Sequence, residues 1–296
     1  MGGRALAATL TAFAVYLGVQ IVFAAAGVRE RFARAWGAGA GFLLGAAAFL
    51  VYLAYALGAN DFAPWRAGVA AGFVFIPLAL ESSAEGEAPG AWQDYVTLGG
   101  IWALVKFHLP GWLFPGQGGR LGYVLTSLFV VNVALACFLF VRRLGNVGYS
   151  IGWGRRWGLW IAGSFLLFAA VAIPLGTAIH FVRFEGHVQA LGALPWNACA
   201  VLLFIAWPEE FLFRGLLQNL LAKSLRNGAL GLLAASVLFG FSHITNGGFP
   251  NWRYVLLAAI AGLFYGWTWM KTGSIFASAL VHAAVDVTWR LFFRTL

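Results

Sequence analysis

Residues 200–222 read AVLLFIAWPEEFLFRGLLQNLLA, an apolar run interrupted by two adjacent glutamates and one arginine. About 20 apolar residues in a helix cross a hydrocarbon core of about 30 Å. Lipid offers the backbone no hydrogen bonds, so such a run must satisfy its own polar groups as a helix. The stretch therefore predicts a membrane helix, and its charged side chains, Glu209, Glu210 and Arg214, require an explanation.

The rest of the chain has the same apolar character. Of its 296 residues, 61% are hydrophobic and 10% are charged, and the mean hydropathy is +0.82. Soluble domains average roughly 45–50% apolar and 25% charged residues, so a soluble globular protein is excluded. Apolar windows predict an all-α, polytopic transmembrane bundle of nine or ten segments, near residues 5–27, 40–59, 67–80, 121–141, 158–182, 196–213, 229–244, 252–270 and 274–292, with a weaker one at 96–114.

The net charge of +9 reflects membrane topology. Basic residues cluster at the ends of apolar segments, as the positive-inside bias predicts, so we expect no nucleic-acid partner. The strongest cluster, in the loop 142–157, places that loop in the cytoplasm; its members are Arg142, Arg143, Arg155 and Arg156. Lys271 falls on the same side, whereas Arg290 and Arg294 fall on the opposite one. We expect an integral, multi-pass protein of a bacterial or archaeal cell membrane.

The sequence predicts a weakly marked domain boundary near Arg120. Residues 1–120 form an N-terminal membrane region of unassigned role, and residues 121–296 form a second domain whose motifs lie at about 145–292. The stretch 81–94, ESSAEGEAPGAWQD, predicts an acidic loop. Cys137 and Cys199 show no paired spacing, so neither a disulfide framework nor a metal knuckle is indicated.

Glycines recur at four-residue spacing at positions 37, 41 and 45, and again at 262 and 266. Glycine at this spacing lets membrane helices approach closely. We expect it to serve packing within the chain rather than a dimer interface.

Ionisable side chains inside a membrane are costly and by default functional or paired. Glu210 and Arg214 are four residues apart on one helix and can neutralise each other. Glu209 is rotated by about 100° onto another face and has no partner nearby in the sequence. A carboxylate so placed in a low-dielectric cavity suits a general acid or base.

Two further helices carry histidines. His282 and Asp286 share one face of the last segment, as Phe239 and His243 share a face of theirs. At 1.5 Å per residue from the assigned cytoplasmic ends, Glu209 lies about 24 Å deep, His243 about 21 Å, His282 about 12 Å and Asp286 about 18 Å. The sequence therefore predicts that these groups converge from mid-membrane toward the outer side.

Three motifs resemble those of one protease family. Residues 209–214, EEFLFR, are similar to the EExxxR motif of the CAAX prenyl endopeptidase and bacteriocin-processing (CPBP, Abi) family of glutamic-type intramembrane proteases. Phe239 to His243 resembles its FxxxH motif, and His282 to Asp286 its HxxxN/D motif. The resemblance covers about residues 145–292 and implies that 121–296 is a CPBP-like protease domain. It implies hydrolysis of a peptide bond in a membrane-associated or exported peptide or protein. If the orientation above is right, the site opens toward the outer half of the membrane, which would suit removal of an exported protein's C-terminal sorting tail.

The resemblance also implies roles for the motif residues. Glu209 is then the general base, His243 positions the water, and His282 with Asp286 contacts the oxyanion, while Glu210 and Arg214 support the site. Position 286 is Asp where CAAX-processing enzymes typically have Asn. An ionised Asp cannot donate to an oxyanion, so Asp286 must be protonated or must orient His282 or a water. No cofactor is implied.

Three alternatives remain open. Glu, His, His and Asp are plausible zinc ligands, so the same residues could serve a zinc-dependent protease, although no HExxH is present. Residues 148–152, GYSIG, fit the G-x-S-x-G pattern of serine hydrolases, but a loop between two membrane helices is the wrong context. The third is a non-catalytic transporter, immunity protein or scaffold, since buried charges also mark proton relays.

Overall fold

The computed structural model describes residues 2–106, 113–115, 119–186 and 192–296. These residues are mostly helical, which confirms the all-α prediction. Within them the strands are confined to one short antiparallel pair, β1 (Val182–Phe184) and β2 (Phe293–Thr295). The chain divides into two compact units, with the boundary between Gly145 and Asn146.

The first unit consists of helices of the N-terminal region. They are α1 (Gly3–Ala24), α2 (Ala26–Trp36), a short 3₁₀ turn (Gly37–Gly39), α3 (Ala40–Gly58), α4 (Pro64–Ser83), α5 (Trp92–Lys106) and α6 (Gly119–Ala134), the last continuing as a π-helical stretch (Leu135–Val141). The weak segment predicted at 96–114 is helical up to Lys106; its residues 107–112 lie outside the described part of the chain.

The second unit carries all three motifs. It contains α7 (Trp157–Ala178), a long helix α8 over residues 194–224, α9 (Gly228–Phe241), α10 (Trp252–Thr272) and α11 (Ile275–Phe292). Short α-helical and π-helical stretches alternate along α8. β1 and β2 follow α7 and α11 and pair with each other, which ties the ends of these two helices together.

Five helices among the described residues are long and apolar enough to cross a membrane, namely Gly3–Ala24, Ala26–Gly58, Leu121–Val141, Trp157–Ala178 and Ile275–Phe292. The protein is thus an integral membrane protein with several apolar helices. The helix Gly228–Phe241 is apolar but shorter. Its 14 residues extend about 21 Å at 1.5 Å each, less than a typical hydrocarbon core. The count of nine or ten spans remains a prediction.

Polar residues fix the beginnings of the helices that carry the motifs. The Asn227 side chain accepts hydrogen bonds from two backbone N–H groups in the first turn of α9, and Ser274 does the same for α11. Asn251 accepts one from Tyr254 in α10. Gly273 adopts a left-handed φ of 65° between α10 and α11, which glycine supplies without strain. These caps fix where each motif helix starts.

The helix predicted at 229–244 is shorter than expected, because α9 ends at Phe241. Residues 242–250 form turns with glycines at positive φ, Gly247 and Gly248. Asparagine, glycine and proline in this stretch favour turns over helix. His243 therefore lies in the turn after α9 instead of on the helix.

The expected role of glycine in helix packing is confirmed at four positions. A Cβ at Gly262 would lie 3.0 Å from the Cα of Ser236 in α9, and one at Gly266 would lie 2.3 Å from the Gln218 side chain in α8. In the first unit, added Cβ atoms at Gly41 and Gly45 would also collide with neighbours. Gly37 has open space around it.

The prediction of an acidic loop over residues 81–94 is wrong at both ends of the stretch, because both ends lie in helices. Glu81 lies within α4, Asp94 lies in the first turn of α5, and both side chains are fully buried. Arg142 Nε is 2.7 Å from Asp94 Oδ1 and 3.6 Å from Glu81 Oε2. Arg142 was expected to be a topological charge of the cytoplasmic loop. It instead forms a buried ion pair with Asp94, close to Glu81, at a place where an unpaired carboxylate would be costly.

Candidate active site

The two adjacent glutamates lie on a distorted part of α8. Glu209 and Glu210 occupy a short α-helical stretch, Trp207–Glu210, between π-helical stretches Leu202–Ala206 and Phe211–Gln218. Pro208 has no N–H and cannot donate the hydrogen bond of a regular α-helix, which explains why the helix widens directly before it. Such π-helical turns occur frequently at functional sites.

Glu210 is the centre of a fully buried polar network. Its carboxylate accepts hydrogen bonds from Arg214 Nε at 3.0 Å, from Ser278 Oγ at 2.5 Å and from His282 Nδ1 at 2.9 Å. The ion pair with Arg214, which the four-residue spacing predicted, is thus present. Glu210 connects α8 with α11 and is occupied by three donors.

Aromatic rings enclose the guanidinium of Arg214. Its Cζ lies 4.7 Å from the centroid of the Phe239 ring and 5.7 Å from that of Tyr265. These distances are typical of cation–π contacts. Its Nη1 and Nη2 atoms find no hydrogen-bond partner among the described residues. Arg214 is therefore held by Glu210 and by the faces of these rings.

Glu209 and Asp286 approach the other nitrogen of His282. Glu209 Oε2 lies 3.9 Å from His282 Nε2, and Asp286 Oδ1 lies 3.8 Å from it. The side chains of Glu209 and Asp286 are 27% and 29% exposed, whereas Glu210 is completely buried. Glu209, which has no partner nearby in the sequence, thus meets His282 only through the packing of α8 against α11.

His243 is oriented by the turn that follows α9. Its Nδ1 lies 2.8 Å from the carbonyl oxygen of Phe239 and 3.0 Å from Ser242 Oγ. A carbonyl can only accept, so Nδ1 carries the proton that it donates to Phe239. In the neutral ring Nε2 then holds the lone pair and can accept a hydrogen bond from a water. The rings of Phe239 and His243, which were predicted to share a helix face, are in contact with their centroids 4.8 Å apart, although His243 lies beyond the end of the helix.

A cavity of about 160 Å³ brings three of the motif residues together: His243, His282 and Asp286 line it. Its wall also contains aromatic rings from α7 and α10. Glu209 does not line this cavity but reaches its edge at His282 Nε2.

The sequence reasoning missed three residues of this site. Tyr265 stacks on His282 with ring centroids 4.6 Å apart and an interplanar angle of 15°. Ser278 bonds to Glu210, and Arg290 Nη2 lies 3.8 Å from Asp286 Oδ2. Ser278 and Arg290 extend the four-residue spacing of His282 and Asp286 along α11, so the spacing was a usable signal for both. Tyr265, on a different helix, gave none.

The described residues do not contain a ready metal site. Within residues 2–106, 113–115, 119–186 and 192–296, no three His, Cys, Asp or Glu side chains form a group that could hold a metal ion. His282 Nδ1 and the Glu210 carboxylate are already bonded to each other.

Ser150, the serine of the G-x-S-x-G stretch, lies in a loop without helix or strand. Its carbonyl oxygen is 3.4 Å from Ser274 Oγ, and the carbonyl of Gly148 accepts from the N–H of Ile275. The stretch therefore braces the start of α11, and it lacks the strand-to-helix elbow that a nucleophilic serine requires.

Residues 190–288 match the family model of type II CAAX prenyl endopeptidase Rce1-like proteins. The matched segment includes all three motifs and most of the second unit. Through this segment the chain is similar to the CAAX prenyl endopeptidases. Comparison with curated proteins and with solved structures gave no match.

The matched family consists of membrane proteases, hydrolases that act on peptide or protein substrates, and the match supports this enzyme class for the chain. The resemblance expected from the motifs is confirmed. This similarity also favours a protease over a non-catalytic transporter, immunity protein or scaffold. Residues 1–189 lie outside the match, so the role of the N-terminal unit is still unassigned.

Proposed function

We propose that this CAAX-type intramembrane endopeptidase uses Glu209 as the general base that activates a water for peptide hydrolysis. The observation that carries the proposal is the contrast between two neighbouring glutamates. Glu210 is fully buried and its carboxylate accepts from three donors. Glu209 is partly exposed and faces His282 at the edge of the cavity. Of the two, Glu209 has the accessibility that a proton-transferring group requires.

The proposed reaction balances with one water and one peptide bond. Glu209 takes a proton from the water, and the resulting hydroxide adds to the scissile carbonyl carbon to give a tetrahedral oxyanion. When the C–N bond breaks, the Glu209 carboxylic acid returns this proton to the leaving nitrogen. The products are a carboxylic acid and an amine, and the carboxylate of Glu209 is regenerated.

His243 is proposed to position the water. Its Nδ1 proton is committed to the Phe239 carbonyl, so Nε2 is the acceptor in the neutral ring. An acceptor on the cavity wall can hold a water by one of its hydrogens while Glu209 takes the other. This arrangement requires that Nε2 of His243 carry no proton.

His282 is proposed to stabilise the oxyanion. Because Nδ1 donates to Glu210, Nε2 carries a proton only in the imidazolium form. Preorganised donors aimed at a developing oxyanion lower the barrier strongly. Asp286, at 3.8 Å from the same nitrogen, is proposed to orient His282, a role that an ionised Asp can perform.

We propose a mechanism without a metal cofactor; the alternative is a zinc-dependent protease built from the same residues. Metal analysis of the purified protein, with activity assayed before and after chelation, separates the two mechanisms. The proposed mechanism predicts unchanged activity after chelation, whereas activity lost on chelation and restored by zinc supports the zinc enzyme.

The proposed substrates are membrane-associated or exported proteins and peptides, in a bacterial or archaeal cell membrane. The matched family is named for prenyl substrates, so a prenylated C-terminal peptide is one candidate. If the basic loop 142–157 is cytoplasmic, the depths of the motif residues place the site in the outer half of the membrane. That location favours a C-terminal sorting tail as substrate. Reporter fusions that place this loop outside would count against the sorting tail.

Substrate trapping tests the proposed function as a whole. Membranes that contain the Glu209→Gln protein are expected to retain intact substrates, which mass spectrometry then identifies together with their uncut termini. The wild-type protein should release the corresponding fragments. Glu185→Gln, a change at an exposed carboxylate on the β1 side of the unit, is the matched control and should behave as wild type. Equal fragment patterns in all three proteins would contradict the proposal.

A further inference from the structure

A second cavity in the second unit is separate from the candidate active site. It has a volume of about 690 Å³ and lies between α7, α9 and α10. Its wall is almost entirely apolar and includes Leu159, Leu167, Leu232 and Leu263. The volume is within the range of pockets that bind small organic ligands. Along α7 the groove extends from Trp160 to Leu167, a distance of about 10 Å.

Positive charge is concentrated at one end of this groove. Arg156, directly before the first residue of α7, is part of the wall. Lys271 Nζ lies 5.4 Å from the ring centroid of Trp160 and 4.5 Å from that of Trp267, and both tryptophans line the groove. Tryptophan and basic side chains are typical of the level at which lipid headgroups lie.

The start of α7 adds to this positive end. Its N-cap residue, Arg156, makes no side-chain cap to the first N–H groups of the helix. A helix N-terminus carries partial positive charge and favours phosphate. Arg156 and the start of α7 therefore lie at the same end of the apolar groove as the two tryptophans that Lys271 contacts.

We propose that this groove is a binding site for an anionic phospholipid. One acyl chain lies along α7 against the leucines, and the phosphate lies between Arg156 and Lys271. Basic pockets between membrane helices on the cytoplasmic side are known to hold anionic lipid headgroups. The charge at the groove end favours an occupant with an anionic headgroup over an uncharged prenyl chain alone.

A pair of contacting rings lies between the groove and the candidate active site. Phe264 lines the groove, Phe168 lines the cavity that contains His282, and their ring centroids are 6.0 Å apart in an edge-to-face contact. The groove is thus a compartment of its own, and its occupancy can be tested without a proteolysis assay.

The headgroup is tested by lipid retention. The full-length protein is purified in detergent, incubated with phosphatidylglycerol or with phosphatidylcholine of the same acyl chains, and measured by native mass spectrometry. We expect preferential retention of phosphatidylglycerol. In the double variant Arg156→Gln/Lys271→Gln this preference should fall about 25-fold, because each cation contributes about fivefold to anionic lipid binding.

The matched control removes two charges elsewhere in the same unit. Arg183 and Arg294 are both 62% exposed on the paired strands, and Arg183→Gln/Arg294→Gln should retain phosphatidylglycerol as wild type does. Equal retention of the two lipids by the wild-type protein, or an unchanged preference in Arg156→Gln/Lys271→Gln, would overturn the proposal.

The acyl chain is tested by filling the groove. Gly163 lines it, and a Cβ added there meets no atom within 4 Å, so Gly163→Leu places its side chain in the open space. We expect at least a tenfold loss of phosphatidylglycerol retention. Gly158→Leu, on the same helix and also without neighbours, is the control outside the groove. Equal retention by the two variants would overturn the proposal. The proposal would also be overturned if the wild-type protein bound a farnesylated peptide in preference to phosphatidylglycerol and this binding were lost only in Gly163→Leu.

Discussion

At the scale of single residues, the geometry of the site depends on the contacts of the second glutamate, Glu210. Glu210 is buried with Arg214, Ser278 and His282 as its partners. A buried charge that loses its partner costs several kcal/mol. These contacts fix His282 on the side of α11 that faces Glu209, so the residues around Glu210 determine the geometry of the proposed base.

The pairing of Arg214 should be essential for stability. Arg214→Ala leaves the Glu210 carboxylate buried without its cation, which should lower the free energy of unfolding by about 3–5 kcal/mol. Thermal unfolding of the protein in detergent measures this loss. Arg183→Ala, at an exposed ion pair, should change stability by no more than about 0.5 kcal/mol. A similar loss in both variants would show that Arg214 has no special structural role.

Ser278 should act as a positioning residue. Ser278→Ala removes a hydrogen bond to a charged group, worth about 1.5–3 kcal/mol, and frees one side of the Glu210 carboxylate. We expect kcat to fall by about tenfold or more with little change in KM, since the fully buried hydroxyl is out of reach of a substrate. Ser278→Thr, which keeps the hydroxyl, should recover part of kcat. A change confined to KM would contradict this role.

The pH dependence of cleavage should be bell-shaped. The proposed base works only when Glu209 is ionised, so activity is lost as the pH falls through its pKa. The proposed oxyanion donor works only when His282 is protonated on Nε2, so activity is lost as the pH rises through the pKa of His282. In His282→Gln the amide donor does not titrate, so the residual kcat/KM should lack the alkaline decline. An alkaline decline that persists in this variant would assign it to another group.

At the scale of the elements, the close approach of α9 and α10 places His243. A Cβ at Gly240 would lie 2.6 Å from the carbonyl oxygen of Val255 in α10. Gly240 also accepts the backbone hydrogen bond of His243, so the turn that orients the imidazole begins at this crossing. The position of His243 thus depends on a contact that only glycine allows.

Gly240→Ala should therefore damage both the fold and the site. Overpacking of a tight contact costs about 1–3 kcal/mol, and the shift of α9 should displace His243 and lower the cleavage rate. Gly228→Ala is the control in the same helix, because its Cβ would meet only the end of Met270 at 3.5 Å. Unfolding temperature and cleavage rate are measured for both variants. Full activity in Gly240→Ala would refute the importance of this crossing.

At the scale of the whole molecule, sequence patterns predict those features of the fold and the site that depend on the spacing of residues within one helix. The apolar segments, the Glu210–Arg214 pair and the shared face of His282 and Asp286 follow from helical periodicity. The contact between Glu210 and His282 joins residues 72 positions apart, and no local pattern encodes it.

Other misses have equally physical causes. His243 was expected on a helix, but the glycine-rich and asparagine-rich turn ends α9 before it. The sequence pattern predicts Arg142 as a topological charge of the cytoplasmic loop, whereas in the fold it is buried and forms an ion pair with Asp94. Hydropathy sums the charges along the chain and cannot identify which of them meet in the folded protein.

The central claim is that Glu209 is the general base, and the cleavage rate of Glu209→Gln tests it most directly. Glutamine preserves the size of the side chain but cannot take a proton, so kcat should fall by about 100- to 10,000-fold. Purified Glu209→Gln should elute and unfold as the wild-type protein does, and Glu185→Gln should cleave normally. Cleavage by a folded Glu209→Gln protein at the wild-type rate would contradict the glutamate mechanism.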